Sequence, residues 1–157
     1  MSEPIESVWD YPRPPRIERN TRSLEVVHEG RTIAATRAGV RLLETSHPPC
    51  FYFPPDDVDW SQLVESATTT FCEFKGVARY WSLKTDDGRM ADVAWSYPDP
   101  SADQAELAGL VSFYAGRVDA CHVDGEQVQA QRGTYYGGWI TANIRGPFKG
   151  GPGTFGW

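Results

Sequence analysis

Cysteine is scarce in this chain of 157 residues, which has three cysteines and no Cys-x-x-Cys pair. Disulfide-rich secreted domains and zinc ribbons both need more thiols at closer spacing. The sequence also lacks a long apolar run, and its first residues, MSEPIESVWDYP, include several acidic ones, so neither a signal peptide nor a membrane span is predicted. We therefore predict a soluble, cytoplasmic protein with reduced thiols, no metal and no cofactor.

Positive charge is the second shortage, because 15 Lys and Arg face 21 Asp and Glu, for a net charge of −6. Nucleic-acid binding depends on clustered basic residues, so nucleic acid is not expected as the main partner. Four arginines nevertheless recur at every third position near the N-terminus: Arg13, Arg16, Arg19 and Arg22. Two interpretations stay open, solvated charges on a strap over the domain or an extended arm that grips an acidic partner.

Glycine, proline and aromatic residues are plentiful: 15 Gly, 12 Pro and 13% aromatics favour strands and turns over helices. About nine short strands separated by turn signals predict an antiparallel barrel or two packed sheets. Gly30 marks the first hairpin, and Asp86-Asp87-Gly88 marks a later one. We expect only brief helical turns, one from Pro54 to Val64 and one over Asp103 to Leu107.

The ends of the chain differ in composition from its centre. Residues 1–23 are predicted to form a strap, irregular up to about residue 20 and anchored by Trp9, Tyr11 and Ile17, beside a domain over residues 24–130. The tail, residues 131–157, has eight glycines from Gly133 onward together with several rings. Such a segment builds no core of its own. We expect it to lie across the domain or across a second subunit, where it would clasp a homodimer.

The run from Thr69 to Leu83 interleaves charges with large rings, and two more rings follow at Trp95 and Tyr97. Aromatic walls with a few charges among them are typical of small-molecule pockets. Lys75 at the turn of a predicted hairpin would meet a flat or anionic ligand that stacks on the rings. The residues predicted for this pocket from the pattern are Lys75, Tyr80, Trp81, Trp95 and Tyr97, with Arg41 and Glu44 as a polar edge.

Other uses of the same residues stay open. Glu73 and Arg79 would form a cross-strand ion pair if the register brings them together. An enzyme that uses Cys72, Glu73 or Lys75 is a further hypothesis, since Lys75 would lower the pKa of the Cys72 thiol and Glu73 would raise it. A four-ligand zinc site is not predicted, because neighbouring Cys121 and His122 point to opposite faces of a strand.

Three motifs in fixed order resemble one protein family. They are Glu44-Thr45-Ser46-His47-Pro48-Pro49 with Tyr52, the run from Cys72 to Trp81, and Ala94-Trp95-Ser96-Tyr97. From about Leu24 to Val128 the chain resembles the bacterial and fungal family known as domain of unknown function 427. The resemblance implies a β-tent fold, in which two antiparallel sheets meet at an angle, and no established activity. Some other β-tent proteins hold small cyclic ligands in aromatic cages, an analogy of fold that suits these rings and adds Tyr52 to the candidate site.

Overall fold

The computed structural model describes residues 4–72, 75–133, 136–154 and 156–157. Its helices, within those residues, are short 3₁₀ turns at Val8–Asp10, Pro55–Asp57, Trp60–Gln62, Ala102–Leu107 and Ala115–Arg117. No helix in this part of the chain is long and apolar enough to cross a membrane. The strands are β1 (Glu6–Ser7), β2 (Arg16–Asn20), β3 (Leu24–His28), β4 (Arg31–Thr36), β5 (Gly39–Leu43), β6 (Cys50–Phe53), β7 (Leu63–Cys72), β8 (Gly76–Thr85), β9 (Gly88–Ser96), β10 (Val111–Phe113), β11 (Ala120–Val123), β12 (Glu126–Gln127), β13 (Gln129–Ala130), β14 (Trp139–Ile140) and β15 (Ile144–Arg145).

These strands form two main antiparallel sheets, which confirms the all-β class. One sheet has seven strands in the order β2-β5-β6-β10-β9-β8-β7, and the other has four in the order β12-β11-β3-β4. Two small pairs complete the fold, β13 with β14 antiparallel and β1 with β15 parallel. The seven-stranded sheet ends at β2 and β7 without closing on itself, so the architecture is that of packed open sheets and not of a barrel.

The main core lies between the two large sheets. In β6, Phe51 and Phe53 are buried in this core, whereas Tyr52 belongs to a second cluster on the other face. Leu24 and Val26 of β3 meet them from the four-stranded sheet. Because successive strand residues alternate between faces, the seven-stranded sheet is covered by apolar residues on one side and carries a separate aromatic face on the other.

The predicted hairpins form where turn chemistry favours them. Between β3 and β4, Glu29 has φ of 51° and Gly30 has φ of 73°. Two consecutive positive φ values are typical of the tight turn that joins twisted antiparallel strands. The meander of β7, β8 and β9 also forms, with β8 in the middle.

Two local expectations differ from the structure in detail. Helical structure does form between Pro54 and Val64, as two separate 3₁₀ turns, and it ends earlier than expected, because the Asp59 carboxylate caps the Ser61 amide and β7 already begins at Leu63. The N-terminal strap is more regular than expected, since β1 and β2 form within it. The strand β2 begins directly after Pro15 and finds its partner in β5, so the segment's prolines precede the ladder and do not interrupt it.

Three of the four recurring arginines, Arg13, Arg16 and Arg22, lie close to acidic side chains of the same chain. Arg22 Nε lies 3.1 Å from an Asp124 oxygen, and an Arg16 nitrogen lies 3.6 Å from Glu18. The pair expected between Glu73 and Arg79 involves a residue outside the described ranges, and Arg79 donates a hydrogen bond of 2.6 Å to Glu65 of β7.

Arg41 of β5 fastens the strap to the large sheet. Its guanidinium donates to both Glu6 oxygens at 3.0 Å and to Glu18 Oε1 at 2.6 Å, and its side chain is only 12% exposed. Burial by itself raises the pKa of Glu6, but the hydrogen bonds from Arg41 and Tyr11 outweigh it and hold the pKa below its usual value. The folded state therefore favours the ionised form of Glu6.

We expect Arg41→Met to lower the free energy of unfolding by about 1.5–3 kcal/mol near neutral pH, the usual effect of removing charge-assisted hydrogen bonds. Because the folded pKa of Glu6 is depressed, this contribution is present above the unfolded value of 4.5 and is lost as pH falls through the folded value. Urea unfolding at a series of pH values from about 7 to about 3.5 should show the free energies of unfolding of wild type and Arg41→Met converging as the pH falls. Arg89→Met, which removes an exposed arginine of β9, serves as the control. A difference that stays constant with pH would contradict the role given to Glu6.

Candidate functional site

The floor of the candidate site is the aromatic face of the seven-stranded sheet. Tyr80 of β8 is paired with Trp95 of β9, and Ser112 of β10 is paired with both Trp95 and Tyr52. Residues directly opposite each other in a sheet share a face. Tyr52, Tyr80 and Trp95 therefore project on the same side, and the Trp95 Nε1–H group donates to Tyr52 Oη at 3.3 Å.

Tyr97 and Tyr114 extend this floor. The Tyr114 ring lies 4.6 Å from the Trp95 ring, centroid to centroid, and Tyr97 belongs to the same buried cluster. Burial raises the pKa of Tyr52, Tyr97 and Tyr114 well above the ordinary value of a phenol. These hydroxyl groups are neutral near neutral pH, so the floor offers ring surface and hydrogen bonds but no charge.

A cavity of about 380 Å³ lies over this floor. Its walls come from three parts of the chain, namely the strap, the strands of the large sheet and the C-terminal tail. The described lining residues are Arg13, Leu42, Glu44, His47, Pro48, Cys50, Tyr52, Phe71, Cys72, Lys75, Tyr80, Trp95, Tyr97, Tyr114, Gln131, Tyr136, Gly137, Lys149 and Trp157.

Glu44 has the one carboxylate side chain among these lining residues, and three basic groups surround it. Its oxygens lie 3.7 Å from Lys75 Nζ, 3.7 Å from Arg13 Nε and 3.9 Å from His47 Nε2. The first two distances are those of ion pairs, and all three exceed the length of a direct hydrogen bond. The carboxylate thus offsets nearby positive charge while its oxygens keep room for a hydrogen-bond donor.

Lys75 remains protonated although its side chain is only 12% exposed. Burial by itself lowers the pKa of the ammonium group, but neighbouring Cys72 and Glu44 outweigh it and raise the pKa above its ordinary value. Its Nζ lies 6.0 Å from the centre of the Tyr97 ring. The site therefore holds a fixed positive charge beside ring surface.

His47 is neutral over the physiological range. Burial, together with the charges of Lys149, Lys75 and Arg13, lowers its pKa to about 4. Its Nδ1 lies 3.2 Å from Gln131 Nε2. Because an amide nitrogen can only donate a hydrogen bond, Nδ1 is the acceptor. Three cations against one carboxylate leave the described lining side chains with a net charge of +2 in a chain whose net charge is −6.

Two of the three cysteines line the cavity. Burial raises the pKa of the Cys50 thiol to about 12, and it also raises the pKa of Cys121 in the main core, so both thiols are protonated near neutral pH. The half-buried Cys72 lines the cavity together with Lys75, whose pKa it helps to raise. Of the three residues in the enzyme hypothesis, Cys72 and Lys75 thus meet in the cavity, and Glu73 lies outside the described residues.

Metal ligands do not assemble here. Across the described ranges, no group of three His, Cys, Asp or Glu side chains stands in an arrangement that could hold a metal ion.

The structure brings together six of the eight residues proposed from the sequence. Those that line the cavity are Glu44, Tyr52, Lys75, Tyr80, Trp95 and Tyr97. Arg41 and Trp81 do not line it. Arg41 directly precedes the lining residue Leu42, and Trp81 directly follows Tyr80, so each points to the opposite face of its strand. Arg41 binds Glu6 and Glu18, and the Trp81 ring packs 4.8 Å from the ring of Trp60.

The tail supplies lining residues that the sequence pattern does not reveal. Gln131, which is buried, accepts from the Gly138 amide at 3.0 Å and donates to the Lys149 carbonyl at 2.7 Å. The Trp157 ring packs 5.3 Å from Trp9 of the strap, and its main-chain oxygen accepts from Arg13 at 3.3 Å. The tail therefore packs on its own domain and forms one wall of the cavity. Tyr114 is the one missed lining residue that the sequence could have indicated, because it lies two positions after Ser112 and so shares its face of the sheet.

Comparison with known proteins identifies the central part of this structure. No curated protein matches the chain. A family model described as a domain of unknown function, DUF427, matches residues 16–124. The matched part contains the aromatic floor, Glu44 and Lys75, whereas Arg13, Lys149 and the tail wall lie outside it. Because the match covers well over half of its length, the chain belongs to the DUF427 family.

Proposed function

We propose that this protein binds a small, planar molecule with negative charge in the cavity over the aromatic floor. The observation that carries the proposal is the combination of ring surface and net positive charge in one concave site of an acidic protein. Neither the rings nor the charges alone would distinguish a ligand site from ordinary packing.

The size and chemistry of the cavity support a small-molecule ligand. Its volume of about 380 Å³ falls within the range common for such sites, roughly 300–1,000 Å³. A flat ring can stack against the floor, where Trp95 and Tyr114 already lie 4.6 Å apart by ring centroid. The neutral hydroxyl groups of the floor add hydrogen bonds without opposing a negative charge.

The placement of charge supports an anion over a neutral or cationic ligand. Lys75 approaches the cavity from the turn between β7 and β8, and its low exposure means that few water molecules screen it. Lys149 lines the cavity as a second ammonium group. A cationic ligand would meet repulsion from both ammonium groups.

Binding of aromatic acids should depend on Lys75. We expect Lys75→Met to weaken the binding of aromatic carboxylates and aryl phosphates about tenfold, because it removes a charge-assisted contact of about 1.4 kcal/mol. Calorimetry and thermal shift with a panel of aromatic acids, and with the neutral amides of the same rings, would measure this. Lys84→Met is the matched control, since Lys84 lies on the same hairpin but outside the cavity. Failure of every acid to bind, or equal binding by wild type and Lys75→Met, would refute the proposal.

A further inference from the structure

We infer that the ligand bears a doubly charged group of the phosphate-monoester class, and that Arg13 and Lys149 recognise its second negative charge. This inference rests on the proposed function, because it concerns the ligand of the same cavity. It assigns charge selectivity to two residues outside the segment that matches the family model.

Within residues 16–124, charge in the cavity is close to balanced. Lys75 and Glu44 are the charged lining residues described there, and their Nζ and Oε1 atoms lie 3.7 Å apart. His47 adds no charge, since its pKa is about 4. The family segment on its own therefore offers an aromatic floor and a compensated ion pair, which would accept a ligand of low charge.

Lys149 adds a cation that the fold holds in place. Its backbone amide donates to the Ser46 carbonyl at 2.8 Å, and its own carbonyl accepts from Gln131 Nε2 at 2.7 Å. Its Nζ lies 5.3 Å from the centre of the Tyr136 ring. These two hydrogen bonds hold the backbone of Lys149, and with it the base of the side chain, in place.

Arg13 adds the second cation from the opposite end of the chain. Its guanidinium donates to the Thr45 carbonyl at 2.9 Å and to the Trp157 main-chain oxygen at 3.3 Å. These contacts hold it at the rim while its Nε stays 3.7 Å from the Glu44 carboxylate. An arginine fixed in this way keeps further N–H groups for oxygen acceptors of a ligand.

The three cations converge on one point. Lys75 Nζ and Arg13 Nε each lie 3.7 Å from the Glu44 carboxylate, on the same side of the cavity as His47. The Tyr136 ring lies 4.7 Å from the His47 ring, and Lys149 Nζ lies 5.3 Å from the centre of that Tyr136 ring. Among the described lining side chains, Glu44 compensates one of the three cations, and two positive side-chain charges remain. A phosphate monoester is mostly dianionic at neutral pH and presents three acceptor oxygens, whereas a carboxylate or sulfate ester carries a single charge. A dianionic head group beside a flat ring thus matches both the charge and the floor.

Phenyl phosphate and phenyl sulfate test this inference, because they share one ring and a tetrahedral head group but carry two charges and one. With full-length protein at low salt and about pH 7.5, calorimetry should show phenyl phosphate binding at least about tenfold tighter. At about pH 5 phenyl phosphate becomes mostly monoanionic, and the ratio should fall towards one. His47 does not titrate in that interval, since its pKa is about 4.

Lys149→Met should reduce the ratio of the two affinities to about threefold or less, whereas Lys149→Arg should retain most of it. Lys84→Met should leave the ratio unchanged. This inference would be overturned if the wild type bound both probes equally, or if Lys149→Met left the ratio intact. The proposed function would still stand in that case if Lys75→Met weakened the binding of both probes. Absence of binding by either probe and by every other aromatic acid would overturn both.

Discussion

Replacement of Trp139 by alanine is expected to lower the free energy of unfolding by about 3–5 kcal/mol, because it deletes a large, fully buried ring. Trp139 lies in the C-terminal tail, beyond the segment that matches the family model, yet its side chain is 0% exposed. Its ring lies 5.3 Å from that of Phe51 and 6.1 Å from that of Phe53, by centroid. The substitution would leave a large cavity in the main core.

The indole of Trp139 also satisfies a buried acceptor. Its Nε1–H group donates to the Phe113 carbonyl at 2.8 Å, and its backbone amide donates to the Pro49 carbonyl, also at 2.8 Å. Trp139→Phe keeps most of the apolar contact but leaves the Phe113 carbonyl without this donor, for an intermediate loss of about 1–3 kcal/mol. Because the tail carries Trp139, removal of residues 133–157 to test the expected homodimer clasp would disturb folding as well as association.

Urea unfolding followed by far-ultraviolet circular dichroism would measure these changes. Phe71→Ala is the control, because it also deletes a large ring, but one that is 69% exposed. Its expected loss is below about 0.5 kcal/mol. If Trp139→Ala were no more destabilising than Phe71→Ala, the tail would not be part of the folded core.

Gly137→Ala is expected both to destabilise the protein by about 1–3 kcal/mol and to abolish ligand binding. A methyl group at Gly137 would collide with the Trp95 indole, approaching Cζ3 to 2.6 Å, and would lie 3.1 Å from Tyr114 Cδ1. Both rings belong to the floor of the cavity. The indole must therefore move, and the floor changes shape with it.

Phenyl phosphate binding and urea unfolding, measured on the same samples, would separate the two effects. Gly156→Ala is the matched control, since a methyl group there meets nothing within 4 Å. Near-ultraviolet circular dichroism should change for Gly137→Ala, because Trp95 leaves its present packing, and should stay constant for the control. A Gly137→Ala protein as stable as Gly156→Ala, with the same affinity, would show that the tail does not rest on Trp95.

Strand alternation explains which of the proposed site residues reach the cavity. Tyr80 and Trp81 are neighbours in β8, so they point to opposite faces, and only Tyr80 lines the cavity. The same rule separates Arg41 of β5 from Glu44, which directly follows β5, because the two are an odd number of positions apart. Neighbouring rings such as Tyr80 and Trp81 therefore do not line the same pocket, and the sequence alone shows this once the two faces of each strand are told apart.

The sequence contains no comparable signal for the wall of the cavity. Arg13 and Lys149 lie at opposite ends of the chain, and their meeting depends on two separate segments packing on the same sheet. The spacing of residues along the chain carries no information about such contacts. The helical turn expected to reach Val64 ends at Gln62 for a related reason, because Leu63 and Val64 pair with β8 as part of β7.

The sequence by itself determined the β class, the turns at Glu29-Gly30 and between β8 and β9, and the concentration of rings on β8 and β9. These features follow from alternation and turn chemistry, which act between near neighbours. Only the tertiary structure decided that the tail enters the core through Trp139 and that Arg13, Lys75 and Lys149 line the same cavity. The physical reason is that burial and charge at this site depend on segments far apart in the chain, which only the packing of strap and tail on the large sheet brings together.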